Sequence, residues 1–239
     1  MKHSGQIKDY YDDFSNWYER ERHHGYHAML DRLELEALAP YIGEKDVLEV
    51  GAGTGLIMQG LAEKARYVVG IDISAGMLQG ASNRGFDVAQ GSATDLPFES
   101  GRFDLAYSFK VLAHVPEIER ALFEMSRVLK PGGYLVAEFY NVLSMRWLAK
   151  RLGGPGKISE QRTEAEVFTR WDTPDQIKSY LPDDVDFLGW RGVRVFTPAA
   201  LAFRIPGANA ILPALESRAM SSPLARFGGF LIAVCQKRY

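Results

Sequence analysis

The sequence predicts an α/β fold, a doubly wound, mostly parallel sheet of seven strands with helices on both faces. Three observations carry that reading. Short apolar runs alternate with helical patterns from residue 46 to residue 140. A glycine-rich turn, Gly51-Ala52-Gly53-Thr54-Gly55, ends the first apolar run and opens a helix. Pro131-Gly132-Gly133 separates the strongest helical stretch from the next strand. Strands that alternate with helices lie parallel and are buried on both faces, so they read as continuous apolar runs.

The elements follow in order. Residues 9–39 read as helical, with Tyr10, Phe14, Trp17 and Tyr18 on one face and His27, Leu30, Leu33, Leu35 and Leu38 continuing the pattern to Pro40. Asp46–Val50, Tyr67–Ile71, Phe86–Ala89, Phe103–Ser108 and Tyr134–Phe139 read as strands. Gly55–Arg66, Ser74–Ser82 and Pro116–Leu129 read as the helices between them. After residue 140 the rhythm changes. Val142–Leu152 is helical, 157–166 is a polar loop, and Thr173-Pro174 opens a short helix to Leu181. Val185–Val195 and Gly228–Cys235 are the last two strands, and 197–226, rich in Ala, Leu and Pro, has a helical look and no clean strand.

The chain has 239 residues, 46% apolar and 24% charged, which excludes disorder and low-complexity classes and fits a single domain with a full core. Its lone cysteine, Cys235, excludes a disulfide framework and multi-cysteine metal sites, and reads as a small buried apolar residue. No signal-peptide core and no run of about 18 apolar residues is present, so the expectation is a soluble cytoplasmic protein. Net charge is −2, unevenly spread: residues 1–140 carry 14 Lys/Arg against 21 Asp/Glu, and 141–239 carry 14 against 9. The basic half reads either as solvated faces or as a surface that meets an anion. Without a basic run, nucleic acid is not an expected partner.

The glycine turn and its acids are the most informative segment. Glycines admit positive φ and close ligand approach, and the helix start presents unpaired N–H groups. Glu49, two residues before Gly51, suits a cationic or hydrogen-bond-donating ligand and would repel a pyrophosphate. Asp72, at the end of the second strand about twenty residues on, can accept both hydroxyls of a ribose. The ligand so described has a ribose, an amino or cationic group, and no phosphate.

This pattern resembles class I S-adenosylmethionine-dependent methyltransferases, within the ubiquinone-biosynthesis-like group that acts on small molecules. Gly91-Ser92-Ala93-Thr94-Asp95-Leu96-Pro97-Phe98 is similar to that family's adenine-side loop. Phe103–Ser108 with Val111-Leu112-Ala113-His114-Val115 is similar to its fourth strand and following turn, and Arg127–Gly133 to its connection into the fifth strand. The resemblance is strong over 40–140 and holds elsewhere only in outline. It implies a Rossmann-like sheet with an antiparallel last strand and S-adenosyl-L-methionine as cofactor. It places Glu49 at the methionine amino end, Gly51, Ala52, Gly53 and Gly55 along the methionine moiety, and Asp72 on the ribose. Ile73 would lie on the adenine face with Met77 beneath it, Met77 reading equally as core, and Ala93 would offer its N–H to the ring. Many relatives carry an acid where this chain has Ser92, so the adenine amino contact weakens or moves to Thr94 or Asp95.

Methyl transfer is an in-line displacement in which the protein supplies position and a dry pocket, with a base needed only for a protonated nucleophile. His114 is the candidate catalytic residue, as a base or a substrate-orienting group. Its other reading is a structural histidine bonded to a backbone carbonyl. Tyr18 would reach the cofactor carboxylate from the N-terminal helix, or pack in the core. Lys110 either faces the pocket or is exposed. His23, His24 and His27 include a helical i, i+4 pair, but with no third ligand beyond Glu19 and Glu21 no metal site is expected.

The organisation expected is one domain, 1–239: an N-terminal helical lid at 1–39, a cofactor-binding core at 40–140, and cap insertions at 142–172 and 197–226. The apolar character of 197–226 predicts that it roofs a hydrophobic substrate cavity, with the sheet edge or a dimer partner as the other surfaces it could cover. The expected function is methylation of a small, largely hydrophobic acceptor. The alternatives are a lipid or quinone methylated at a membrane surface by peripheral contact, and a non-catalytic partner subunit that binds the cofactor. A monomer or homodimer fits either.

Overall fold

The computed structural model describes residues 11–12, 25–153 and 168–239. Helix α1 (Gly25–Leu38) leads into β1 (Asp46–Val50), α2 (Leu56–Leu61), β2 (Tyr67–Asp72), α3 (Ala75–Asn83), β3 (Asp87–Gln90) and β4 (Phe103–Ser108). Then come α4 (Ile118–Arg127), β5 (Leu129–Tyr140), α5 (Met145–Gly153), α6 (Pro174–Tyr180), β6 (Val185–Val193), α7 (Ala208–Met220) and β7 (Phe230–Lys237). The seven strands form one sheet in the order β3-β2-β1-β4-β5-β7-β6. β1 to β5 are parallel, and β7 runs antiparallel to both β5 and β6.

Two apolar layers sandwich the sheet, as the continuous strand pattern requires. Val47, Leu105, Tyr107 and Val136 face α1 and α2, which contribute Leu30, Leu33, Met58 and Leu61. Leu48, Val50, Ala106, Leu135 and Phe139 face the other way, toward Ile118, Leu122 and Met125 of α4. Ser74 caps α3 by accepting from Met77 N, and Thr173 with Gln176 forms a reciprocal capping box on α6.

Several boundaries differ from the sequence reading. α2 stops at Leu61 rather than Arg66, because the next residues turn to meet β1: Glu44 N donates to Lys64 O and Arg66 N to Lys45 O. β5 begins at Leu129, ahead of Pro131-Gly132-Gly133, which the sheet absorbs as an irregularity; Phe103 pairs with Leu129 while Leu105 already pairs with Tyr134. α4 accordingly ends at Arg127.

Segment 197–226 is helical, as expected: a 3₁₀ turn at Ala200–Arg204, α7, and a second 3₁₀ turn at Pro223–Phe227. Its expected role is corrected. It packs on α1 and β6, with Phe203 against Tyr26, and none of its residues lines either cavity described below. Buried Glu216 fixes it there, accepting from Val195 N, Phe196 N and the Thr197 hydroxyl. Those strand-end donors need a partner when covered, so the segment is tied to the sheet edge rather than over the ligand crevice. The 157–166 loop and Tyr18 lie outside the described residues. Among the described residues no helix is long and apolar enough to cross a membrane.

Candidate active site

Ligands in doubly wound sheets bind at the carboxyl ends of the strands, where the strand order reverses. Here that point lies between β1 and β4. The glycine turn follows β1, anchored by Gly51 N and Ala52 N, both donating to Ile71 O. Gly51 has φ +86, and a Cβ there would lie 2.0 Å from Val111 Cγ2, so only glycine lets the loop after β4 close onto the turn. Gly55, at φ +80, caps the start of α2, and a Cβ would meet Ala81 of α3 at 2.9 Å.

Two cavities open around this turn and share Gly51, Gly53, Phe109 and Lys110. The larger, about 240 Å³, is also bordered by Asp72, Ile73, Met77, Ser92, Ala93 and Thr94 on one side and by Tyr11, Val111, His114 and Tyr140 on the other. The smaller, about 40 Å³, runs under the turn to Glu34, Glu49, Ala52 and Thr54. The structure thus brings together every sequence-predicted site residue within its described part except Gly55, which borders neither cavity because the chain has already turned into α2.

Asp72 holds the turn from the side: its Oδ2 accepts from Gly53 N and its Oδ1 from Ser74 N, each at 2.9 Å. Burial raises its pKa against the pull of those N–H groups. Asp12, one of the two described residues of the N-terminal segment, accepts from Gly76 N at 2.9 Å and from the Ser74 hydroxyl, which brings Tyr11 to the cavity wall. Ser92 Oγ lies 2.8 Å from Thr94 Oγ1, so these two hydroxyls stand as one unit on the cavity wall. Met77 is 4% exposed and borders the larger cavity.

Under the turn the chemistry is acidic. Glu49 is 3% exposed, and its Oε2 has no hydrogen-bond partner. Burial pushes its carboxyl well above the ordinary range, the nearby Tyr107 hydroxyl opposing and Glu34 and Asp72 adding. Lys110, left open between pocket and solvent by the sequence, is half-buried between the cavities. Its Nζ pairs with Glu34 at 2.7 Å and Asp31 at 3.3 Å, and its backbone N donates to Glu138 Oε1 at 3.0 Å. It adopts φ +61, a strained conformation for a side-chain-bearing residue, which these three acids hold in place. Glu138, buried in β5, is pushed up to about 8 by burial and then by Glu34, Lys110 opposing.

His114 follows β4 in a 3₁₀ turn. Its Nδ1 lies 2.9 Å from the Phe168 carbonyl, so in the neutral ring Nδ1 carries the proton and Nε2 the lone pair. Its ring meets Tyr140 edge-on at 5.7 Å and Tyr11 at 6.4 Å. The carbonyl contact is the one its structural reading requires, and the ring nevertheless borders the larger cavity.

The residues fit S-adenosylmethionine on their own chemistry: an orphaned carboxylate oxygen for an ammonium group, and a second carboxylate on the wall of an adenosine-sized cleft. Residues 48–137 match the family described as Methyltransferase domain. A demethylmenaquinone methyltransferase of Renibacterium salmoninarum is 33% identical over 177 residues, 68% of this chain and 73% of its own. One from Paenarthrobacter aurescens is 40% identical over 68% of each chain. The chain belongs to the class I S-adenosylmethionine-dependent methyltransferases. The fold agrees: the crystal structure of a possible histamine N-methyltransferase from Thermotoga maritima superposes with a TM-score of 0.67 at 22% identity, covering 95% of this chain and 98% of that one.

As a methyltransferase, the chain carries residues at its cavities that motif reading did not reach: Glu34 borders the smaller and Tyr140 the larger, with Glu138 behind Lys110 and Arg146 behind Tyr140. Glu34 and Glu138 did leave a signal. Each is a carboxylate on the apolar face of its element, Glu34 between Leu33 and Ala37 of α1 and Glu138 within Val136–Tyr140 of β5, where burial without purpose would be costly.

Proposed function

We propose that this methyltransferase acts on a small, largely hydrophobic acceptor seated in the larger cavity beside His114 and Tyr140, with the cofactor's methionine end in the smaller one. The observation that carries this is the shared wall: Gly51, Gly53, Phe109 and Lys110 border both cavities, so one ligand can pass from the acidic socket to the acceptor side. When bound, the cofactor would supply an electrophilic methyl carried on a sulfonium.

The chain's own residues bind, orient and exclude water. Glu49 takes the amino group, supported by Glu34. Lys110 offsets the excess negative charge and faces the carboxylate end. Asp72 accepts ribose hydroxyls, while Ile73, Met77 and Ala93 with the Ser92–Thr94 pair frame the adenine. His114, held through Nδ1 by Phe168 O, presents Nε2 to the acceptor side. The kinship with demethylmenaquinone methyltransferases favours a quinone-type ring as the acceptor body.

His114→Ala tests the acceptor side. A base at this position is worth about 10²–10⁴ in kcat with cofactor affinity kept. A folded variant with wild-type turnover on a quinol acceptor would leave His114 only the structural bond to Phe168.

A further inference from the structure

Tyr140 ends β5 and borders the larger cavity. Behind it lies Arg146 of α5, 7% exposed, its guanidinium 4.0 Å from the Tyr140 ring centroid, 4.4 Å from that of Phe230 and 4.7 Å from that of Trp171. A buried guanidinium is ordinarily neutralised by a carboxylate. Among the described residues Arg146 makes no ion pair with a carboxylate; its hydrogen bond is a long one, 3.5 Å, to the Gly229 carbonyl. Glu138, two residues before Tyr140 in β5, acts on Arg146 only through space, and its own pKa is pushed up to about 8. Arg194, which shares the Phe230 ring at 5.4 Å, is also buried and bonds only carbonyls, those of Thr197 and Pro198. Glu216 accepts from three neutral donors and reaches Arg194 only through space, and Asp172 pairs with Arg170 and accepts from the Tyr180 hydroxyl. Two arginines thus gather positive charge behind one tyrosine of the cavity wall, and among the described residues neither forms an ion pair with a carboxylate. A leucine or methionine would fill the same aromatic box at no electrostatic cost.

The charge acts on the cavity through the phenol. A cation against the ring makes the hydroxyl a stronger donor, and a donor so polarised gains most from a charged acceptor. Burial raises the Tyr140 pKa, Arg146 opposing, so the proton stays on and the group donates. We infer that the Tyr140 hydroxyl, polarised by Arg146 as a positioning residue, recognises an oxyanion carried by a planar acceptor in the larger cavity. Tyr11, Phe109, Val111 and His114 give that planar body its walls. The inference deepens the proposed function and rests on the larger cavity being the acceptor site.

The test uses the full chain saturated with S-adenosylhomocysteine, titrated with benzoate, with 4-nitrophenol and with neutral benzyl alcohol. The expected result is at least tenfold tighter binding of an anion than of benzyl alcohol. Benzoate against 4-nitrophenol distinguishes a carboxylate from a phenolate, and bound 4-nitrophenol should shift its absorption toward the phenolate form. Tyr140→Phe and Arg146→Met should each abolish the anion preference and the spectral shift. Arg146→Lys should restore part of both. Arg146→Met keeps an apolar filling of the aromatic box; should it fail to fold, Tyr140→Phe alone decides. A wild type that binds the three probes equally, or a folded Tyr140→Phe that keeps the anion preference, overturns the inference. A wild type that does not bind S-adenosylhomocysteine overturns the proposed function instead.

Discussion

Asp72→Asn is the most informative single substitution at this site, because it preserves shape and changes only donors and acceptors. In the wild type one carboxylate oxygen accepts from Gly53 N and the other from Ser74 N, both at 2.9 Å. An asparagine has one oxygen and one NH₂ group, so in either orientation one of those backbone donors faces another donor. Leaving a buried donor unpaired costs about 1–3 kcal/mol, and in a chain of this size each kcal/mol lowers Tm by about 2–4 °C, giving a fall of roughly 2–12 °C. The charge-assisted ribose contact is weakened at the same time. Hydrogen bonds to charged groups contribute about 1.5–3 kcal/mol, or roughly tenfold to a hundredfold in affinity. Calorimetry with S-adenosylmethionine reads the second effect and thermal melting the first. A variant that binds the cofactor within twofold of wild type refutes the ribose assignment, whatever its melting temperature.

Three further outcomes follow from the geometry. Glu138 has a folded pKa raised to about 8 among Glu34, Lys110 and Arg146, so the folded state binds more protons than the unfolded above the ordinary value of 4.5. Stability therefore falls as pH rises between those values, and Glu138→Gln should flatten the Tm profile over that window; parallel profiles would contradict it. Gly51→Ala puts a Cβ 2.0 Å from Val111 Cγ2 at φ +86, so it should lower Tm and cofactor affinity together, whereas Gly85→Ala, also at positive φ but with open space around it, should lower Tm alone. Glu216→Ala leaves two backbone donors of the 195–197 segment without their carboxylate at about 1–3 kcal/mol each, and its cofactor affinity, measured below the melt, should match wild type because no residue of 197–226 lines a cavity.

The fold was legible because it is written locally. Each strand of the parallel core is a short apolar run, since both its faces are covered, and each helix between them has its own periodicity and stop signals. The errors fall where a neighbour overrides the local pattern. Pro131-Gly132-Gly133 looks like a connection, but pairing with β4 carries the strand through it. The apolar side of 197–226 demanded a partner, but composition cannot say which; the donors at 195–197 and the carboxylate of Glu216, about twenty residues apart, made the choice.

The site divides the same way. Its cofactor half follows a contiguous motif, because a turn, a helix start and two strand ends need particular residues at particular spacings. The rest of the cavity lining has no motif, because it is assembled from α1, the turn after β4 and the end of β5, which meet only in the folded chain. The Lys110 turn shows the physical reason. Its positive φ is unfavourable alone, and it is held by Glu34 and Asp31, 76 and 79 residues away, and by Glu138, 28 residues away. The sequence signature of such a cluster is a charged residue on a face that periodicity marks as buried. Glu34 and Glu138 both carry it, and the two are brought together by the single lysine whose turn forms the wall between the cavities. The buried charges around Lys110, out of register with their surroundings, thus mark the part of the site that no contiguous motif announces.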